Sequence, residues 1–171
     1  MNLRPIKTAS VFLFLGLLAF PASPRALDLG LTPSHVFSLW LNINNSLIAV
    51  SGRVSGDVDL AGTLAAMKAR NFSGKNPADV FGQVIIYRDR LDKVLHAQIF
   101  PRTKKISFDG ETITPSDVYL NSGHVLSAQV RWLIVKSGDD QSVSQFYTRY
   151  KVVGKTPSDV FALVGLAIRR L

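Results

Sequence analysis

Six residues recur four times along this chain with small changes: TPSHVF around Pro33, NPADVF around Pro77, TPSDVY around Pro115 and TPSDVF around Pro157. Each copy has the grammar of a helix start. Thr32, Asn76, Thr114 and Thr156 carry side-chain oxygens that accept hydrogen bonds from free backbone N–H groups. Proline follows each of them, at the first helical position, where its missing N–H is not needed. Asp79, Asp117 and Asp159 stand two residues on, where a carboxylate favours the positive end of the helix dipole and can reach back to the cap residue. Val36, Val80, Val118 and Val160 come next, each followed by an aromatic, and open a buried stripe. Leu31 with Val36, and Ile113 with Val118, are placed to form hydrophobic staples. Gly30, Gly74 and Gly154 stand three places before a proline and let the chain turn in.

The prolines are 44, 38 and 42 residues apart. That is too uneven for a strict solenoid, yet close to the period of two-helix repeats. Duplication of one unit and convergence on good capping chemistry account for the recurrence equally well.

The pattern predicts an all-α domain of about six helices packed as one bundle, four of them opened by the recurring motif. The first runs from Pro33 to about Val50, with Val36, Trp40, Ile43 and Leu47 at helical spacing, and SGRVSG breaks it. The second spans about Asp57 to Arg70, with Leu60, Leu64 and Met67 inward. The third, Pro77 to about Gln98, buries Val80, Val84, Tyr87, Leu91 and Val94, and pairs Arg88 with Asp92 and Asp89 with Lys93 on its solvent face. Residues 100 to 113 read as a loop. The fourth helix reaches about Lys136. The spacing of Val143, Phe146, Tyr147 and Tyr150 predicts a fifth, against their β propensity. The sixth, from Pro157 to the end, is apolar nearly all round and is expected to be central.

Residues 1–26 read differently. A basic stretch without acids is followed by VFLFLGLLAF, ten apolar residues, and then by the small, turn-forming PASPRA. That order is the pattern of a secretory signal peptide, and the apolar run is too short to span a bilayer as a helix. Cleavage after Ala19, Ala22 or Ala26 is compatible with the pattern, and so is an uncleaved segment; a mitochondrial presequence would be amphipathic, whereas this run is apolar all round. The expected destination is the periplasm or the exterior, with residues 27–171 as a single helical domain and no transmembrane span beyond the leader. The formal net charge is +8, and losing Arg4, Lys7 and Arg25 with the leader leaves about +5. No basic stripe interleaved with aromatics is present, which argues against nucleic acid as a partner.

The chemistry-bearing residues are few. The chain has no cysteine, so disulfides and thiolate metal sites are excluded. His35, His96 and His124 have no helical pair spacing between them. Asp57 and Asp59 resemble the start of a calcium loop, but Lys68 stands where its bidentate glutamate belongs. No nucleophile elbow or phosphate loop occurs. No cofactor or metal is expected. Glu111 is the single glutamate, so a cell-wall hydrolase would have to be built around it. His35 replaces the aspartate of the other copies, either by drift at a tolerant site or as a pH-responsive or ligand-facing residue.

The expected function is that of an exported, non-catalytic helical protein that binds another protein or an anionic envelope component. Arg102, Lys104 and Lys105 form its densest basic cluster, and Trp40 and Trp132 are candidate contacts. The alternative is a helical carrier of an apolar or anionic small molecule. It would use some of Trp40, Tyr87, Tyr119, Trp132, Phe146, Tyr147 and Tyr150, aromatics whose spacing also suits plain core.

Overall fold

Pro33, Pro77, Pro115 and Pro157 each open a helix. In three of them the capping box is complete. Asp79, Asp117 and Asp159 accept the backbone N–H of Asn76, Thr114 and Thr156 at 3.0, 2.7 and 2.8 Å. The cap oxygens accept the aspartate N–H groups in return. These bonds to the Thr156 backbone and hydroxyl, with Lys155 alongside, hold the Asp159 carboxyl below its usual pKa. The turn before three of the starts is left-handed at Gly30, Gly74 and Gly154, with φ of 66°, 69° and 71°, a conformation that L side chains rarely adopt.

The computed structural model describes residues 28–97, 112–138 and 141–171, which are all-helical without strands. They form α1 (Pro33–Ser55), α2 (Val58–Ala66), α3 (Pro77–Ala97), α4 (Pro115–Ser137) and α5 (Pro157–Arg170), with a 3₁₀ helix at Gln141–Tyr147.

The four capped helices run parallel. Their starts meet at one end of the molecule, where Pro33, Pro77, Pro115 and Pro157 enclose a small apolar dimple together with Val36, Val80, Val118 and Val160. Counted from the proline, the buried positions then coincide in all four. Three places on are the four valines. Seven on are Trp40, Val84, Ser122 and Val164; ten on are Ile43, Tyr87, Val125 and Ala167. Every one of these last eight side chains is 0% exposed. Steps of three, four and three residues are the spacing of a parallel coiled-coil seam. Bulk is traded between helices: the Trp40 indole N–H donates to the small Ser122 hydroxyl at 2.9 Å, and the ring packs edge-on against Tyr87 across the axis.

α1 packs against α4 and α5, and α3 packs against the same two, so the cyclic order is α1, α4, α3, α5. The motif closes this ring as well as starting its helices. Lys155 N–H, just ahead of α5, donates to Ser34 on α1. Leu29 N–H, ahead of α1, donates to Ser116 on α4. Lys75 N–H, ahead of α3, donates to Ser158 on α5. All three bonds are 3.0 Å long and run in the same sense around the ring. The fourth link would fall on α3, where Ala78 replaces the serine and offers no acceptor. Two lysines repeat the sense of rotation: Lys155 lies over the Phe37 ring at 4.7 Å and Lys75 over Phe161 at 4.8 Å.

Parallel helices oblige the chain to return to the top after each one. These returns are where the structure departs from the sequence pattern. The expected fifth α-helix is a 3₁₀ helix followed by 148–156 without regular structure, so five α-helices stand among the described residues rather than six. The second helix stops at Ala66, and Leu60 is exposed because α2 packs mainly on α1. α1 continues through the expected break to Ser55 and ends at Gly56. On α3, Leu95 rather than Val94 is buried, and so are Arg88 and Asp92, which the pattern put in solvent. The reason is that α3 presents one face to α4 and another to α5, a wider buried arc than a single stripe. Arg88 pairs there with neighbouring Asp89 at 3.2 Å. Helix α5, expected to be central, has no fully exposed residue.

Candidate functional site

The ascent from α4 to α5 crosses the outside of α1. Ser34, Ser38 and Asn42 stand four residues apart on one stripe of α1 and hold this strap. Asn42 Nδ2 donates to Thr148 O at 2.8 Å, Tyr150 N–H donates to Ser38 Oγ at 3.0 Å, and Lys155 N–H reaches Ser34. A fourth contact lies outside: Asn45 Nδ2 donates to the Tyr150 hydroxyl at 2.9 Å. The strap therefore runs antiparallel to α1, pinned at intervals by side chains too short to bring it into full contact.

A cleft of about 740 Å³ lies between the strap, α1 and α4. Its apolar wall comes from Leu31 and Leu39, from Leu126 on α4, and from Val152 and Val153 on the strap. Three tyrosines contribute both ring faces and hydroxyls: Tyr119 from α4, Tyr147 from the 3₁₀ helix and Tyr150 from the strap. Arg149 and Lys151, both exposed, stand on the strap, and His35 stands at the start of α1. Among the described residues no carboxylate lines the cleft. Val153 is 83% exposed and Tyr147 57%, so the rim is apolar as well as cationic.

Local electrostatics favour a negative guest. The first turns of α3, α4 and α5 carry an aspartate against the helix dipole, and that of α1 carries none. The uncompensated positive end is the one that borders the cleft. His35 takes the aspartate's place in the cap, and its Nδ1 accepts Thr32 N–H at 3.0 Å.

The residues named from sequence scatter. Tyr119, Tyr147 and Tyr150 come together at the cleft. Trp40 and Trp132 lie in the core at 0% and 5% exposure, as do Tyr87 and Phe146, so neither tryptophan offers its ring to a partner. Trp40 is buried because it fills the space left on the axis by Ser122. Arg102, Lys104, Lys105 and Glu111 lie outside the described residues. Ser34, Ser38 and Asn42 belong to no functional motif, yet polar residues at four-residue intervals on an apolar helix are a visible sign of something laid along it.

Among the described residues no three histidine or acidic side chains converge as metal ligands, and no helix is long and apolar enough to cross a membrane. A second, shallower hollow of about 500 Å³ beside the start of α3 sets Asp79 among its lining with Lys75 and so lacks the single sign of charge. No family model, curated protein or solved structure matches this chain.

Proposed function

We propose that this is an exported helical binding protein that carries a small amphipathic anion, such as an acyl carboxylate, in the cleft between α1 and its strap. The supporting observation is the lining: aliphatic and tyrosine walls, Arg149 and Lys151 at the rim, and no acid among the described residues. The volume falls in the range of small-molecule sites, roughly 300–1,000 Å³. Export to the periplasm or exterior rests on the order of charge, apolar run and small residues in 1–26. The shared burial register of the four capped helices favours duplication of one helix-plus-return unit over convergent capping.

Calorimetric titration of the full chain with decanoate is the test, with native mass spectrometry of the protein purified without detergent. One bound decanoate per chain is expected. Reversing both rim charges, Arg149→Glu with Lys151→Glu, is expected to weaken it at least about tenfold, or about 1.4 kcal/mol, with the urea midpoint unchanged. Absence of binding, or indifference to the reversal, removes this reading.

A second reading, a protein partner docked on the strap, draws on the exposure of Val153 and Tyr147. It predicts that Val153→Ser and Tyr147→Ser abolish capture of an envelope protein and that decanoate does not compete with that capture.

A further inference from the structure

We infer that His35 sets the preference of the cleft for an anion, an inference that rests on the cleft being the ligand site. Its ring is fixed by the cap it completes. A backbone N–H can only donate, so the Thr32 N–H bond at 3.0 Å requires a lone pair on His35 Nδ1. The Thr32 hydroxyl lies 2.9 Å from the same nitrogen. The neutral imidazole must then carry its proton on Nε2, and this N–H has no partner among the described residues. His35 lines the cleft, so it brings a neutral donor to a lining that already holds Arg149 and Lys151.

The other three capped helices show what this position does when it only serves the cap. There the residue is aspartate, which accepts the same backbone N–H and adds a negative charge. An aspartate at 35 would serve α1 equally well. It would also place a carboxylate beside the bound anion and neutralise the helix dipole that faces it. Histidine keeps the acceptor on one side of the ring and exchanges the repelling charge for a donor on the other. Stability and binding are thereby set against each other at one residue, which is what makes the inference testable.

The experiment compares decanoate with 1-decanol, its neutral twin, on the full chain and two variants. The unsubstituted protein is expected to prefer decanoate. His35→Asp is expected to weaken decanoate at least about tenfold, to leave 1-decanol within about twofold, and to keep or raise the thermal midpoint by restoring the carboxylate cap. His35→Asn, whose amide can accept from Thr32 N–H and still donate, is expected to stay within about threefold for decanoate. Decanoate binding unchanged in His35→Asp overturns the role of His35 and leaves the cleft standing. A drop in the midpoint with equal loss of both ligands overturns it too, because the residue would then act only through the fold. An unsubstituted protein that binds neither ligand removes the cleft reading and this inference with it.

Discussion

Two return segments cross the outside of the bundle and are fastened by different chemistry. Residues 67–76, rising from α2 to α3, pass over α5. Arg170 holds the approach with Nε on Leu64 O at 2.8 Å, Nη2 on Met67 O at 3.1 Å and Nη1 on Asn44 Oδ1 at 2.7 Å. Arg169 adds a bond to Lys68 O at 2.7 Å. Phe72 then packs edge-on against Phe161, with ring centroids 5.0 Å apart. Residues 148–155, rising to α5 over α1, are held by two serines and two asparagines, with Lys155 over the Phe37 ring, and Asn42 Oδ1 is buried without a partner among the described residues. The first segment is clamped by cations against carbonyls and sealed with aromatic rings. The second is pinned along most of its length by short neutral side chains, with one cation over a ring at its end, and has the 740 Å³ cleft beneath it. The cleft lies where the fastening is weakest, and a segment held in this way opens at lower cost than a clamped one.

The comparison breaks most readily at Arg170. Burial, with Arg169 alongside, lowers its pKa, yet a guanidinium stays charged, so its bonds are of the stronger, charge-assisted kind. Arg170→Ala is expected to cost about 2 kcal/mol in urea unfolding and to speed amide exchange in 64–72. Arg170→Lys should recover little, because a point charge cannot serve several acceptors as the planar fork does. A loss as small as that of a surface ion pair would erase the difference between the two segments.

Ser38→Ala tests the other side. One neutral bond to Tyr150 N–H is lost, for about 1 kcal/mol. Exchange should quicken in 148–155 while α1 and α4 stay protected. A cost matching that of Arg170→Ala would show that the second segment is clamped as firmly as the first.

The smallest effect is expected at the unclasped joint. Ala78→Ser restores the hydroxyl that Ser34, Ser116 and Ser158 supply elsewhere in the ring. One added neutral bond to the chain entering α4 should raise stability by about 0.5 kcal/mol, at the low end of such bonds. No gain would mean that the segment before α4 is held in another way than the segments before the other three helices.

Much of this molecule could be read in its residues. All four capped starts, the aspartate boxes and the buried stripes depend on contacts within one or two helical turns, and such contacts are written in local spacing. His35 stood out for the same reason, as a break in a local pattern. The exception is the run Val143, Phe146, Tyr147 and Tyr150, which does not form one α-helix. Their spacing suits a buried helical face, but Tyr147 is 57% exposed and Tyr150 N–H is taken by Ser38, 112 residues away. Trp40 illustrates the same limit, since nothing near it in sequence shows that Ser122 supplies both the space and the acceptor for its indole.

By itself, then, the sequence determined where four helices begin, the aspartates that cap three of them and most of the buried stripe of each. The tertiary structure decided that the four run parallel, in the order α1, α4, α3, α5, and that each serine of the motif serves the neighbouring helix as well as its own position. It also decided that one return segment is sealed and the other stands off from α1. The physical reason is range. Caps and periodicity act through the backbone of a few consecutive residues, whereas the clasps join residues 83 to 121 apart. Those partners are chosen by the packing of the whole bundle, and the serine, glycine and lysine that make the clasps look locally like any other turn.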